Sequence, residues 1–311
     1  MLRETSVTSA GERCGAWYLP GEGDAFAGQH GRPCVVMAHG FGGTRDTGLL
    51  AFAEGFAEAG LAVLLFDYRG FADSTGQPRQ DVAYRRQRAD YHAAIAAARR
   101  LPGVDPRRIV LWGTSYSGGH VLPVGTRDGA VAAAIAMTPA TDGAAALALI
   151  ARRDGLAPLL RLTGHGLRDL GRAVRRREPH RIPIAAEPGE LGVLTAPGAL
   201  AGYTEIAGPT WRNEVCARAC LEVGLNRPTI YARRVGFPLL VQVGEQDRTA
   251  PPAAARRAAE KAGAELRSYP VDHFDVYTGE GQQRMLADQL AFLQDRLGAR
   301  PREEVTTAPA G

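Results

Sequence analysis

Five runs in this chain are dominated by apolar residues: PCVVMAHG (33–40), LAVLLFDYRG (61–70), RRIVLWG (107–113), VAAAIAMTP (131–139) and FPLLVQVG (237–244). A strand with one face in water alternates apolar and polar residues, whereas these runs do not alternate. They therefore read as strands buried on both faces, as in a parallel sheet sandwiched by helices. Helical stretches separate them. TGLLAFAEGFAEAG (47–60) closes on glycine, and DVAYRRQRADYHAAIAAARRL (81–101) is Ala- and Arg-rich. A helix starts within 118–129, where Pro123 threatens a kink. PPAAARRAAEKAG (251–263) and GQQRMLADQLAFLQDRLG (281–298) follow, on either side of a strand at 265–270. With an early strand at 14–20, the pattern predicts an α/β fold. Its sheet is mostly parallel and doubly wound, with about eight strands and helices on both faces.

The strand–helix rhythm stops between 142 and 236, a region rich in Ala, Arg, Gly and Pro. Helices are expected there near 143–153, 157–176 and 211–223. The domain reading is thus a core of residues 1–141 and 237–298, a helical insertion at 142–236 and a disordered polar tail at 299–311. No internal repeat is visible.

Composition narrows the function classes. With 45% hydrophobic and 23% charged residues, 311 residues can bury a large core. No run of about 18 uncharged apolar residues appears, so no membrane span is expected. The N-terminus lacks the apolar stretch of a signal peptide, and four cysteines (Cys14, Cys34, Cys216, Cys220) are too few for a disulfide framework. These features favour the reducing cytoplasm. Net charge is +4, almost all of it carried on arginine. The densest basic run, RAVRRREPHR (172–181), reads as a solvated helix face and loop, and no nucleic-acid partner is expected. Cys216 and Cys220, four apart on the expected helix, have no second pair at ligand spacing, so packing is preferred to metal binding. No glycine-rich phosphate loop follows a strand, and no cofactor is expected. Oligomeric state is open, and a homodimer is compatible with the sequence.

Ligand sites in open parallel sheets lie beyond the carboxyl ends of the strands, so chemistry is sought there. GTSYSG (113–118) follows the strand at 107–113 and precedes a helix. A nucleophile elbow needs that context, with small residues two before and two after the serine, here Gly113 and Ser117. Ser117 is assigned its place by size alone. Ser115 then needs a base. Of seven histidines, His273 in VDHFD stands just after a strand. His39 reads as structural, His120 as packing, and His30, His92, His165 and His180 as turn, surface or loop residues. The base in turn wants a carboxylate. Asp247, directly after the strand at 237–244, is preferred to Asp142, Glu245, Asp272 and Asp275. Two N–H donors are required for a developing oxyanion: those of Tyr116, after the nucleophile, and of Phe41 in HGFGGT (39–44). Tyr203 and Trp211 are candidates for the wall of an acyl pocket.

Taken together, AHGFGGTRD, FDYRGFADS, GTSYSGG, VGEQDRTAPP and VDHFD resemble the α/β-hydrolase superfamily over roughly residues 10 to 298. The GxSYxG form looks like the cocaine-esterase and X-prolyl-peptidase branch, without its extra jelly-roll domain, so no peptidase specificity is carried over. The resemblance implies a helical cap at 142–236 and structural roles for Asp67 and Arg69. It also implies a serine hydrolase acting on a small acyl substrate, an ester or thioester, without metal or cofactor. Lactone, amide or C–C hydrolysis, acyl transfer and non-catalytic ligand binding are the alternatives.

Overall fold

In the computed structural model, which describes residues 1–298, the apolar runs become the middle of one eight-stranded sheet. In chain order the elements begin with β1 (Arg3–Ser9), β2 (Glu12–Leu19), β3 (Arg32–Ala38), α1 (Leu50–Glu58) and β4 (Ala62–Phe66). They continue with α2 (Tyr84–Ala98), β5 (Val104–Thr114), α3 (Ser115–Asp128) and β6 (Ala133–Met137). The segment that breaks the rhythm holds α4 (Gly143–Asp154), α5 (Ala157–Val174), β7 (Arg181–Ile182), α6 (Ala199–Ile206), β8 (Val215–Cys216), α7 (Ala219–Val223) and a 3-10 helix (Pro228–Arg234). The sheet and helices then resume with β9 (Leu239–Gly244), α8 (Pro252–Ala262), β10 (Glu265–Tyr269) and α9 (Gly279–Leu297). The tail expected at 299–311 lies outside the described residues.

Sheet order is β1-β2-β4-β3-β5-β6-β9-β10, with β2 antiparallel to both neighbours and every pair from β4 to β10 parallel. β3, β4, β6 and β9 are buried along almost their whole length, which is why their sequences do not alternate. Helices α1 and α9 pack on one face, and α2, α3 and α8 on the other. The chain runs outward from β3 to β4 in one direction and from β5 to β6 in the other. The switch in direction therefore falls between β3 and β5, where a crevice opens at their carboxyl ends.

Three expectations change. β1 is an extra edge strand: its sequence RETSVTS is polar and only Val7 and Ser9 are buried, so no apolar run announces it. The helix expected over 211–223 shrinks to α7, because Val215–Cys216 pair with Arg181–Ile182 and the Cys216 N–H donates to Gln80 O at 2.8 Å. Tertiary pairing overrides local propensity there, and Cys216 and Cys220 do not share a helix. Conversely, α6 was hidden by Gly202. A Cβ at that position would lie 2.6 Å from the Phe274 side chain, so glycine marks close packing and not a break. Helix α3 runs on through Pro123 to Asp128.

Candidate active site

Ser115 sits at the first position of α3 with φ +53°, a left-handed conformation that lifts its side chain out of the β5–α3 turn. The small neighbours are required by contact. A Cβ on Gly113 would meet the Ser117 carbonyl oxygen at 2.3 Å, and one on Gly40 would approach the Ser115 Cβ to 3.0 Å. Ser117 does more than stay small. Its buried hydroxyl donates to Ala38 O at 2.6 Å and accepts from the Thr114 N–H at 3.1 Å, tying the elbow to the end of β3.

His273, in the loop after β10, reaches the elbow: its Nε2 lies 3.1 Å from Ser115 Oγ. Its Nδ1 lies 2.7 Å from Asp247 Oδ2, in the loop after β9. The other carboxylate oxygen of Asp247 accepts the N–H groups of Thr249 and Ala250 at 2.8 and 2.7 Å, which fixes the carboxylate plane. A carboxylate can only accept, so Nδ1 carries the proton and Nε2 presents its lone pair to the serine hydroxyl. His273 and Asp247 are buried, while Ser115 keeps partial solvent access.

The rival carboxylates have other work. Asp142 caps the N-terminus of α4 and pairs with Arg227, and Glu245 pairs with Arg256. Asp272 accepts from Arg248 Nε at 2.7 Å and from the His273 N–H at 2.7 Å, clamping the loop of Asp247 to the loop of His273. Asp275 accepts the Asp272 N–H.

Two backbone N–H groups, in the elbow and in the loop after β3, are oriented by hydrogen bonds to their own peptide carbonyls. The Ala140 N–H donates to Ser115 O at 2.8 Å, which orients the Ser115–Tyr116 peptide. The Tyr116 N–H lies in the first turn of α3, where no intrahelical acceptor exists. On the facing loop, Gly40 O accepts from the Gly43 N–H at 3.3 Å and from His39 Nδ1 at 3.0 Å. Because N–H and C=O of a trans peptide point oppositely, these bonds orient the Phe41 N–H. Burial holds His39 down to about 4, so its ring is neutral, and with Nδ1 donating, its Nε2 faces Asp67 Oδ1 at 3.6 Å. Burial pushes Asp67 up to about 7, against the opposing pull of Arg45, whose N–H it accepts at 2.6 Å. Arg69 engages Asp90 at 2.7 Å. His39, Asp67 and Arg69 thus brace loops.

A small cavity of about 20 Å³ opens beside Ser115. Phe41, Leu194, Ile206, Phe274 and Tyr277 contribute apolar wall, with Tyr203 among them. Leu194, Tyr203 and Ile206 come from the 142–236 segment. Sequence reasoning missed Leu194, Ile206, Phe274 and Tyr277; only the adjacency of Phe274 to His273 offered a signal. Trp211 does not line the cavity. It stacks on Tyr203 with centroids 4.9 Å apart and planes 14° apart. The Tyr203 hydroxyl donates to Phe41 O at 2.7 Å, so this side chain braces the loop that carries the Phe41 N–H. His120 is buried against Gln87, and His165 stacks on His180 away from the cavity. Among the described residues, no group of three or more His, Cys, Asp or Glu gathers to hold a metal, and no helix is long and apolar enough to cross a membrane.

The family model described as "Alpha/beta hydrolase family" matches residues 35–287. The chain belongs to the alpha/beta hydrolase family. A similar member is the quorum-quenching protein AidA of Acinetobacter baumannii, 40% identical over 267 residues that cover 84% of this chain and 86% of AidA. The thiohydrolase aneE of Aspergillus aculeatus is 38% identical over 38% of this chain and 37% of its own length. Among solved structures, the alpha/beta hydrolase GrgF from Penicillium superposes with a TM-score of 0.77 at 24% identity, covering 96% of this chain and 99% of GrgF. DcsB, solved with a substrate analogue, gives 0.79 at 22% identity over 96% and 99%. At those identities the two structures speak for the fold. Within this alpha/beta hydrolase, the crevice at the β3–β5 switch is where Ser115, His273 and Asp247 meet.

Proposed function

We propose that the protein is a serine hydrolase that cleaves a carboxylic ester or thioester through an acyl-enzyme. The carrying observation is the single imidazole of His273 bridging Asp247 at 2.7 Å and Ser115 at 3.1 Å. In this reading Nε2 takes the Ser115 proton as Oγ attacks the acyl carbon, and Asp247 stabilises the imidazolium. The N–H groups of Phe41 and Tyr116 hold the oxyanion. His273 then returns the proton to the leaving alcohol or thiol, and water, deprotonated by the same imidazole, releases the acid. No step uses a metal or an organic cofactor. The apolar walls around Ser115 suit an acyl group that is at least partly apolar, and residues 142–236 act as a cap over it, with residues 1–141 and 237–298 as the catalytic core. We place its action in the reducing cytoplasm, in keeping with a sequence whose four cysteines are too few for a disulfide framework.

The thioester arm is favoured by the likeness to a thiohydrolase, and cleavage of a lactone or transfer of the acyl group to an alcohol would use the same intermediate. A panel of acyl esters, acyl thioesters and lactones, assayed with wild type and Ser115→Ala, tests the reading. Turnover of at least one class, lost in the variant, is expected. Turnover that survives in the variant contradicts it.

A further inference from the structure

A second cavity, of about 700 Å³, lies between α2, α3 and the Leu225–Tyr231 stretch, and it shares no lining residue with the cavity at Ser115. Its volume is in the range of small-molecule sites, roughly 300–1,000 Å³. Its charge is one-sided. Arg85, Arg88, Arg127 and Arg227 all line it, and among the described residues only Arg227 has a carboxylate within 4.0 Å. The acids close by are already engaged: Asp142 by Arg227 itself, and Asp128 by Arg99 through bonds of 2.6 and 2.9 Å. Glu222 acts on Arg85 through its charge without a salt-bridge contact, and the groups that act most strongly on Arg88 do not include it.

Arg88 is the central feature. It is half-buried, with its guanidinium 4.8 Å from the Tyr84 ring centroid and 5.8 Å from that of Tyr231. Its one side-chain hydrogen bond goes from Nη2 to the neutral amide oxygen of Asn226, at 2.5 Å, and its Nε is buried without a partner. A withdrawn guanidinium normally has an anion beside it, because desolvation is offset only by pairing. Here the folded chain supplies two aromatic faces and no anion. Around this charge the surface is apolar: Leu225 and Ile230 are 68% and 64% exposed at the rim, and Pro123 and Val124 are buried below. Large aliphatic side chains left in water beside unpaired arginines describe a ligand with both an apolar body and an anionic head.

We infer that this groove binds a soluble organic oxyanion, a carboxylate or phosphate carried on an apolar or aromatic body, at a site separate from Ser115. The head pairs with Arg127 and with the Nη1 edge of Arg88, which the folded chain leaves without a partner, and the body covers Leu225, Ile230 and Tyr231.

The test is titration calorimetry on the full chain with 2-naphthoate, 2-naphthyl phosphate and the neutral 2-naphthylmethanol. Each is run against wild type, Arg88→Met and Arg127→Gln. The anions are expected to bind at least roughly tenfold more tightly than the alcohol, and each substitution to weaken the anions roughly 5- to 50-fold while leaving the alcohol unchanged. Arg127 is exposed and its substitution leaves the core intact, so that variant decides the matter if Arg88→Met fails to fold by circular dichroism. Equal binding of alcohol and anions overturns the proposal, as does anion binding that neither substitution weakens. A third arm uses phosphatidylcholine vesicles with and without phosphatidic acid. Association with the acidic vesicles alone, with no soluble anion bound, assigns the arginines to a lipid surface and also overturns it.

Discussion

Replacing Tyr203 by Phe separates two roles for a side chain that lines the cavity and also braces it. The substitution removes one oxygen, whose hydrogen bond to Phe41 O is 2.7 Å long and buried. The ring stays in place, held by Trp211 stacked at 4.9 Å and Phe274 tilted at 5.4 Å. The apolar wall is therefore preserved, and KM should hardly change. The Phe41 carbonyl is left buried without its donor, a loss of about 1–3 kcal/mol. If that loss appears as a misplaced Phe41 N–H at the moment the oxyanion forms, kcat falls by roughly 5- to 150-fold. The lower part of the range is expected, about tenfold, because Gly40 O keeps its bonds from Gly43 and His39. Steady-state kinetics on an activated acyl ester supply the readout, with a thermal melt to confirm folding. A raised KM at unchanged kcat would refute the bracing role and leave Tyr203 as a substrate contact only.

The remaining predictions concern the elbow, the facing loop and a buried imidazole. Ser117→Ala breaks two buried hydrogen bonds, one from the elbow to Ala38 O at the end of β3 and one from Thr114 N–H within the elbow; it should lower unfolding stability in urea by about 1–3 kcal/mol, and a loss below about 0.5 kcal/mol would show that size is all that matters. Gly40→Ala forces a Cβ to 3.0 Å from the Ser115 Cβ; turnover should fall roughly tenfold or more with little change in melting temperature, and unchanged turnover would mean that the loop relaxes freely. Burial holds His120 well below its ordinary value, so the unfolded chain takes up a proton there below about pH 6.5 that the native state refuses. Its contribution to stability is complete above that pH and is lost as pH falls, by up to about 1.4 kcal/mol per unit. His120→Asn should therefore lose less stability than wild type between pH 7 and 5, and identical slopes in urea titrations would count against the assignment.

How much of this was legible in the sequence depends on the kind of signal. Strands β3, β4, β5, β6 and β9 could be read because burial on both faces leaves a largely apolar run without alternation. Edge strand β1, polar on its open side, leaves no such mark. Ser115, His273 and Asp247 could be placed because each had to follow its own strand, and the structure brings the three side chains together. The contacts that hold them in register were not legible. The Ser117 hydroxyl, the Arg248–Asp272 clamp and the Tyr203 brace join segments 79, 24 and 162 residues apart, and no local pattern specifies such pairs. Between 142 and 236 the local signals were misleading: Gly202 reads as a helix breaker but permits packing on Phe274, and the NEVCA stretch takes its conformation from its partners Gln80 and Arg181–Ile182.

The central claim is that Ser115 is a nucleophile activated by His273. Exposure of the intact protein to a fluorophosphonate, followed by peptide mass spectrometry, tests it most directly. The account predicts one covalent adduct per chain, on Ser115, with labelling abolished by Ser115→Ala and slowed at least roughly a hundredfold by His273→Ala. A folded protein that takes up no label, or takes it up on another serine, would contradict it.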